Sequence, residues 1–324
     1  MIVFERRACA ILYNLLLSLE DPRPFLLPAN VCPIVPLTFR RAGRPFSLVD
    51  IGGPDPSMDP ELCLDRLRGS REGFAGLLFV RAYGAEGDVD SFFRAAKGLR
   101  PDLLVIDDKC LCRPDCRGER VSAHADVTLF STGRAKHVDL GFGGFAHLGA
   151  DVPYRRHGGS YLEAALEEIE RDVKCAVAHR VPFAGGDGDW LDLAEPALSW
   201  EAYQGSVRAQ LHDVDEHKRR LNAIYAGALP RELQMSADLQ DWRFNLRLPA
   251  PARCVERLFA AGLFASRHYA SLGEIFCTER FPQAERLHQE IVNLFNDRSF
   301  DEERARRAVD CVLGHLDAEG RRGA

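Results

Sequence analysis

Short apolar runs recur through the first half of the chain, at residues 25–27, 46–51, 77–81, 103–106 and 127–130. Segments with helical spacing separate several of them, at 8–19, 31–42 and 89–99. The segment at 31–42 opens at Pro33 and closes at Gly43, and its Pro36 is tolerable near a first turn. Runs this short and this apolar have no solvent face. They must be buried on both sides, as in a mostly parallel sheet flanked by helices. An α/β fold follows, and in such sheets ligands gather at the carboxyl ends of the strands.

The second half reads differently. Leu162, Leu166, Ile169 and Val173 form an apolar stripe with Glu163, Glu167 and Glu170 off it, which predicts an amphipathic helix. Residues 181–196 are rich in Gly, Pro and Asp and predict a loop. One long helix is expected over about 200–229, ended by Pro230. Beyond it lie a strand at 244–248, a helix at 253–261 and a terminal helix at 302–316. The expected organisation is a large α/β domain over 1–225, which takes in the long interdomain helix, and a smaller α+β domain over 226–324.

Composition narrows the function. With 46% hydrophobic and 28% charged residues, the 324-residue chain can bury a core, which excludes a disordered chain, a collagen-like repeat and a coiled-coil rod. The net charge of −6 argues against a nucleic acid partner, while a local arginine cluster would still accept an anionic small molecule. Ten cysteines are scattered along the chain rather than packed into a short disulfide scaffold. The first 20 residues lack the pattern of a signal peptide, and no apolar stretch nears the roughly 20 residues a membrane helix needs. A reduced, soluble, cytoplasmic protein with no membrane partner is expected.

The stretch over 103–145 carries the chemistry. A hydrophobic strand leads into Asp107-Asp108, a place where a carboxylate would suit a cationic ring nitrogen. A second strand, Asp126-Val127-Thr128-Leu129-Phe130, ends in the hydroxyl of Ser131, and Lys136 follows a short turn. Gly141-Phe142-Gly143-Gly144-Phe145 then offers backbone that admits close approach of a ligand or a neighbouring chain. Pyridoxal phosphate would use all three groups: a lysine for its aldehyde, a carboxylate for its ring nitrogen and a hydroxyl for its phosphate. Spacing alone leaves the bland alternatives open, since loop lysines are usually solvated and strand-end aspartates often cap helices.

The order of these motifs resembles the DegT-type sugar aminotransferases, a branch of the fold-type I pyridoxal-phosphate enzymes. Asp107-Asp108, the run from Asp126 to Ser131, Lys136 and Gly141-Phe142-Gly143-Gly144 follow the family's pattern. Upstream, Leu27-Pro28-Ala29, Ala42-Gly43, Val49-Asp50 and Tyr83-Gly84 continue it. Downstream it runs on through His217-Lys218-Arg219-Arg220, Arg267-His268-Tyr269 and Phe281-Pro282-Gln283-Ala284-Glu285, with a gap over about 152–200. The resemblance implies a large and a small domain, pyridoxal 5'-phosphate, and transfer of an amino group from an amino acid donor to a nucleotide-linked keto-sugar. It implies that Lys136 carries the cofactor as a Schiff base and moves the proton, that Asp108 pairs with the ring nitrogen and that Ser131 binds the phosphate. It also places His268 and Tyr269 in a substrate loop, where they either contact substrate or pack as an aromatic pair at the domain interface, and makes the molecule a homodimer with shared sites, a role the apolar run at 140–148 would suit.

Three features depart from the pattern. Ala8 and Cys9 stand where the family has Gly-Thr or Gly-Ser at the phosphate, leaving backbone amides to hold it, with Arg7 either a compensating group or a surface charge. Cys32 replaces the aromatic ring that stacks on the cofactor, and Leu111 the glutamine at its phenolic oxygen. Cys110, Cys112, Cys116 and His124 admit a zinc reading, but they lack the paired C-x-x-C spacing and overlap the expected pocket, so no metal is assigned. Other reactions of the same cofactor on a small amino or keto substrate, and a non-catalytic binding role, remain the alternatives.

Overall fold

The structure, a computed structural model, describes residues 1–186 and 188–323. In chain order the first half contains β1 (Ile2–Glu5), α1 (Ala8–Ser18), β2 (Phe25–Pro28), α2 (Ile34–Arg41) and β3 (Phe46–Val49). It continues with α3 (Pro60–Gly69), β4 (Gly76–Val80), α4 (Asp90–Leu99), β5 (Leu104–Asp108), β6 (Val127–Ser131) and β7 (Gly144–Leu148). The second half holds α5 (Glu163–His179), α6 (Trp200–Ala228), β8 (Phe244–Arg247), α7 (Pro251–Ala260) and β9 (Ala265–Ser266). It ends with α8 (Gly273–Phe276), α9 (Pro282–Glu290), β10 (Ile291–Leu294) and α10 (Glu302–Gly323).

Seven strands form one sheet in the order β1-β7-β6-β5-β4-β2-β3. The pairs from β3 to β6 are parallel, while β7 is antiparallel to both β6 and β1. Two reversals bring β1 back into the direction of β6, so its carboxyl end, and the start of α1, lie on the same edge as those of the parallel strands. Both faces are covered, as the apolar runs require. Leu27, Leu78, Ile106 and Leu129 face one core with α1 and α2, and Leu26, Leu77, Phe79 and Val105 face another with α3 and α4. Each such side chain, buried, contributes about 1.5–3 kcal/mol.

The C-terminal half forms a second, three-stranded antiparallel sheet in the order β8-β10-β9. Leu246, Leu258, Val292 and Val312 pack there with Leu221 and Tyr225 from the end of α6. The halves join at Asp50, just past β3. Its carboxylate accepts from the amides of Gln283 and Ala284, each at 3.0 Å, at the start of α9.

Some boundaries move from their expected places. The strand predicted at 103–106 runs on to Asp108, so both aspartates belong to β5. The helix expected from residue 31 begins at Ile34, and the strand expected over 46–51 ends at Val49. The terminal helix passes 316 to Gly323. Among the described residues no helix is long and apolar enough to cross a membrane.

Candidate active site

Strand alternation sorts the two aspartates. Asp107 shares its side of β5 with Val105, on the α3 and α4 face, and Asp108 shares its side with Ile106, on the α1 face. The Asp107 carboxylate is fully buried and takes two bonds from Arg81, at 2.7 and 3.0 Å. Asp108 is also buried; its Oδ1 accepts the Cys110 amide at 2.9 Å, and the Cys110 thiol adds a hydrogen bond to the carboxylate. Burial pushes its pKa up, against the Cys110 bonds and the charge of Lys136. A carboxylate whose charged form is disfavoured by burial is stabilised by a cation placed beside it.

A cavity of about 1060 Å³ opens on this face of the sheet edge, large enough for a cofactor and a substrate together. Ala8, Cys9, Cys32, Asp108, Leu111, Ser131, Lys136, His268 and Tyr269 all line it. Every site residue chosen from the sequence is thus brought to one place, from five separate parts of the chain.

One end of the cavity is suited to an anion. α1 begins there with no side-chain cap and no acidic residue in its first turn. The first turn of a helix leaves backbone N–H groups free, and its dipole favours negative charge. Ser131 ends β6 beside Gly133, where a methyl group in place of the glycine hydrogen would lie 3.5 Å from the Ser131 hydroxyl and 3.7 Å from Arg7 Nη1. Arg7 also donates to the Gly141 carbonyl at 3.0 Å, so it is held toward the site rather than loose on the surface. Hydroxyl, guanidinium and helix amides together supply what a phosphate needs, without the missing Thr or Ser.

Lys136 sits in the turn after β6, half-buried, with no hydrogen bond or ion pair among the described residues. Its preceding residue is fixed from two directions. The Ala135 amide donates to Asp139 Oδ2, and its carbonyl accepts Trp242 Nε1, both at 2.7 Å. Ala135 takes a φ of 60°, a left-handed conformation that costs a non-glycine residue about 1–2 kcal/mol and persists because these bonds hold it. Trp242 lies parallel to Tyr83 at 6.1 Å and to Tyr269 at 6.4 Å, so three rings from both halves form one wall. His137 turns away to α6, where its Nε2 meets Asp215 Oδ1 at 2.9 Å.

The departures read from the sequence also have a place. Burial raises the Cys32 thiol, pushes Cys9 up to about 11 and holds Cys110 well above its ordinary value. These are protonated, small and apolar linings, leaving room that an aromatic ring would fill. Cys112 is drawn to the Ala85 carbonyl instead, and Cys116 packs among Phe130, Phe145 and Tyr203, so the cysteines of the zinc reading disperse.

The glycines after Lys136 do admit a close approach, but of the chain itself. A side-chain carbon at Gly144 would stand 2.4 Å from the Ala8 amide, and one at Gly143 would stand 2.5 Å from the Tyr203 ring. The apolar run at 140–148 contains β7, paired on both sides within the chain, so its burial needs no second molecule. Trp242, Arg243 and His288 are pocket residues that the sequence reading did not single out. No motif marks them; they reach the cavity only through the packing of the second half.

No family model matches the chain, and no curated protein matches it in sequence. Solved structures do match in fold. An aminotransferase of the DegT DnrJ EryC1 StrS group from Brucella abortus superposes with a TM-score of 0.68, at 15% identity, over 97% of this chain and 85% of that one. A sugar aminotransferase from Micromonospora echinospora gives 0.66 at 17% identity, covering 96% and 86%. The GDP-4-keto-6-deoxy-D-mannose-3-dehydratase of E. coli, solved with bound hydrated PLP, gives 0.63 at 13%, covering 96% and 87%. The chain has the fold-type I architecture of these enzymes over nearly its whole length.

Proposed function

We propose that this protein is a pyridoxal-phosphate-dependent aminotransferase that moves an amino group from an amino acid donor to a nucleotide-linked keto-sugar. The carrying observation is Asp108, a buried carboxylate on the α1 side of β5, in the same cavity as Lys136 and the uncapped start of α1. The sugar substrate is carried over from the fold neighbours that act on sugars, and from the order of the sequence motifs.

Pyridoxal phosphate, when bound, supplies an aldehyde that exchanges amines and a conjugated ring that takes up electron density. Asp108 would hold the proton on the ring nitrogen. Ser131, Arg7 and the amides of Ala8 and Cys9 would bind the phosphate. Lys136 Nζ would attach to the aldehyde and, once displaced, carry the proton between carbon atoms of the substrate and cofactor. Cys32 and Leu111 would border the ring, and the wall of Tyr269 and Trp242 would exclude water.

Borohydride reduction of the cofactor-loaded protein, followed by peptide mass mapping, should place a pyridoxyl group on Lys136. Lys136→Ala should abolish amino transfer, by at least about 1000-fold, while remaining folded. Label on another lysine, or none at saturating cofactor, would overturn the reading. We further infer a division into units at 1–225 and 226–324, a homodimer, and a reducing cytoplasm as the compartment, supported by cysteines that are all unpaired in the structure.

A further inference from the structure

Lys136 has no partner of its own among the described residues, so the residues on either side of it set its direction. Before it, Ala135 is held by Asp139 and Trp242, and the Leu140 amide closes the turn on the Thr132 carbonyl at 2.9 Å. After it, His137 is buried and reaches α6, where Asp215 Oδ1 meets its Nε2 at 2.9 Å. The other oxygen of that carboxylate accepts from Arg113 Nε at 2.8 Å. Arg113 stands in the loop after β5, in the same stretch as Asp108. Short bonds stiffen that stretch: Asp108 Oδ1 accepts the Cys110 amide at 2.9 Å, and the Lys109 carbonyl accepts the Cys112 amide at 3.0 Å. One carboxylate on α6 therefore joins the loop that follows Asp108 to the turn that carries Lys136, across 102 and 78 positions of sequence. Further along the same helix, Lys218 donates to the Trp242 carbonyl at 2.9 Å, so α6 supports the turn from both flanks of Lys136.

The charges suit a firm link. Burial lowers the His137 pKa, so its ring is neutral near pH 7 and its Nε2 proton points to the carboxylate. Burial alone would raise the Asp215 carboxyl, but the bonds from His137 and Arg113 hold it below its ordinary value. Hydrogen bonds to an ionised group are shorter and stronger than neutral ones. Asp215, His137 and Arg113 all lie outside the cavity lining, so whatever they do for the reaction passes through the loops they join. We propose that Asp215 is a positioning residue for amino transfer: by tying Arg113 to His137 it sets the placing of Lys136 Nζ relative to Asp108. A displacement of about 1 Å between reacting groups costs on the order of 100-fold in rate, which is the scale on which such a link acts.

This role rests on the aminotransferase reading, and the test tells the two apart. The wild type, Asp215→Ala, Asp215→Asn and Arg113→Met are loaded with pyridoxal phosphate, and borohydride mapping establishes which carry it on Lys136. The first measurement is the circular dichroism of the cofactor band per bound cofactor, which reports how the ring is set against its surroundings. The second is a single turnover with L-glutamate, giving a limiting rate and a half-saturating concentration. Val312→Ala, in the core of the second half, is the control for lost stability alone. Asp215→Ala should keep its cofactor on Lys136 and lose roughly half of the dichroism or more. Its limiting rate should fall about tenfold or more, with half-saturation within about twofold of wild type. Asp215→Asn, with one acceptor left, should fall between. Adding Arg113→Met to Asp215→Ala should change nothing further, because both break the same link. Val312→Ala should match the wild type in both measurements. Where glutamate does not convert the wild type, the dichroism decides alone, and where Asp215→Ala does not fold, Asp215→Asn and Arg113→Met decide in its place. Cofactor on Lys136 with wild-type dichroism in the Asp215 variants, or an equal change in Val312→Ala, overturns the positioning role and leaves the proposed function standing. No cofactor on Lys136 of the wild type overturns the function, and the role falls with it.

Discussion

Asp107 and Asp108 are adjacent in sequence and opposite in consequence. Asp107→Asn leaves the Arg81 guanidinium buried without its carboxylate, and a loss of about 3–5 kcal/mol of stability is expected by chemical denaturation. Asp108→Asn should leave the fold intact and cut amino transfer by roughly 100-fold or more, because an amide does not hold a proton on a ring nitrogen. The sign of its pH effect follows from burial. A carboxyl whose folded pKa lies above its unfolded value costs stability as pH rises through the range between the two. The cofactor-free Asp108→Asn protein should therefore melt higher than the cofactor-free wild type at pH 7, and no higher at pH 3. Equal melting temperatures at both pH values would show that burial does not raise the Asp108 pKa. The aspartates, Ser131 and Lys136 stood out as candidates, but their roles came only from the family resemblance, because spacing alone also admits a solvated lysine and capping aspartates. The partnership of Asp107 with Arg81 was not legible, since it joins β5 to the residue after β4 across 26 positions.

Among the elements, α1 and β7 meet at the end of the cavity where a phosphate is proposed to bind. Their closeness depends on Gly144, which packs directly under the Ala8 backbone. Gly144→Ala places a methyl group where no flexible side chain can move away, so α1 must shift or tilt. We expect a loss of about 1–3 kcal/mol and at least a tenfold weaker cofactor, measured by calorimetry and by absorbance titration. Unchanged cofactor affinity would show that the start of α1 does not hold the phosphate. Elements with strong internal signals were readable, such as α6 with its polar-apolar spacing and the buried strands. β1 was not. It is four residues long, and its Glu5 looks like a charged flank until Arg156 is found beside it at 2.7 Å, 151 residues away. α3 did carry a readable start, with Asp59 accepting from two amides and Pro60 in the first turn, but no apolar run of its own drew attention to it.

At the scale of the whole molecule, the proposed homodimer sets how many chains make one working unit. The apolar segment after Lys136 is accounted for within the chain, so that proposal rests on the family resemblance of the sequence motifs. Light scattering at micromolar protein should give about twice the mass of one 36.2 kDa chain. A single-chain mass with cofactor still bound would remove the shared-site proposal. The overall α/β class followed from the alternation of apolar runs and helices, because that pattern is local. The cavity's far wall did not, because Trp242, Arg243 and His288 belong to no motif and become a surface only when the second half docks.

The bond from Trp242 to the Ala135 carbonyl spans 107 positions and bears on the order in which the protein is made. Lys136 leaves the ribosome first, and at about 5–20 residues per second the indole that fixes its turn follows roughly 5–20 s later. During that interval the amine is present but its setting is not. The turn that carries Lys136 is therefore fixed only after residue 242 has been made, and the candidate site is assembled late in synthesis.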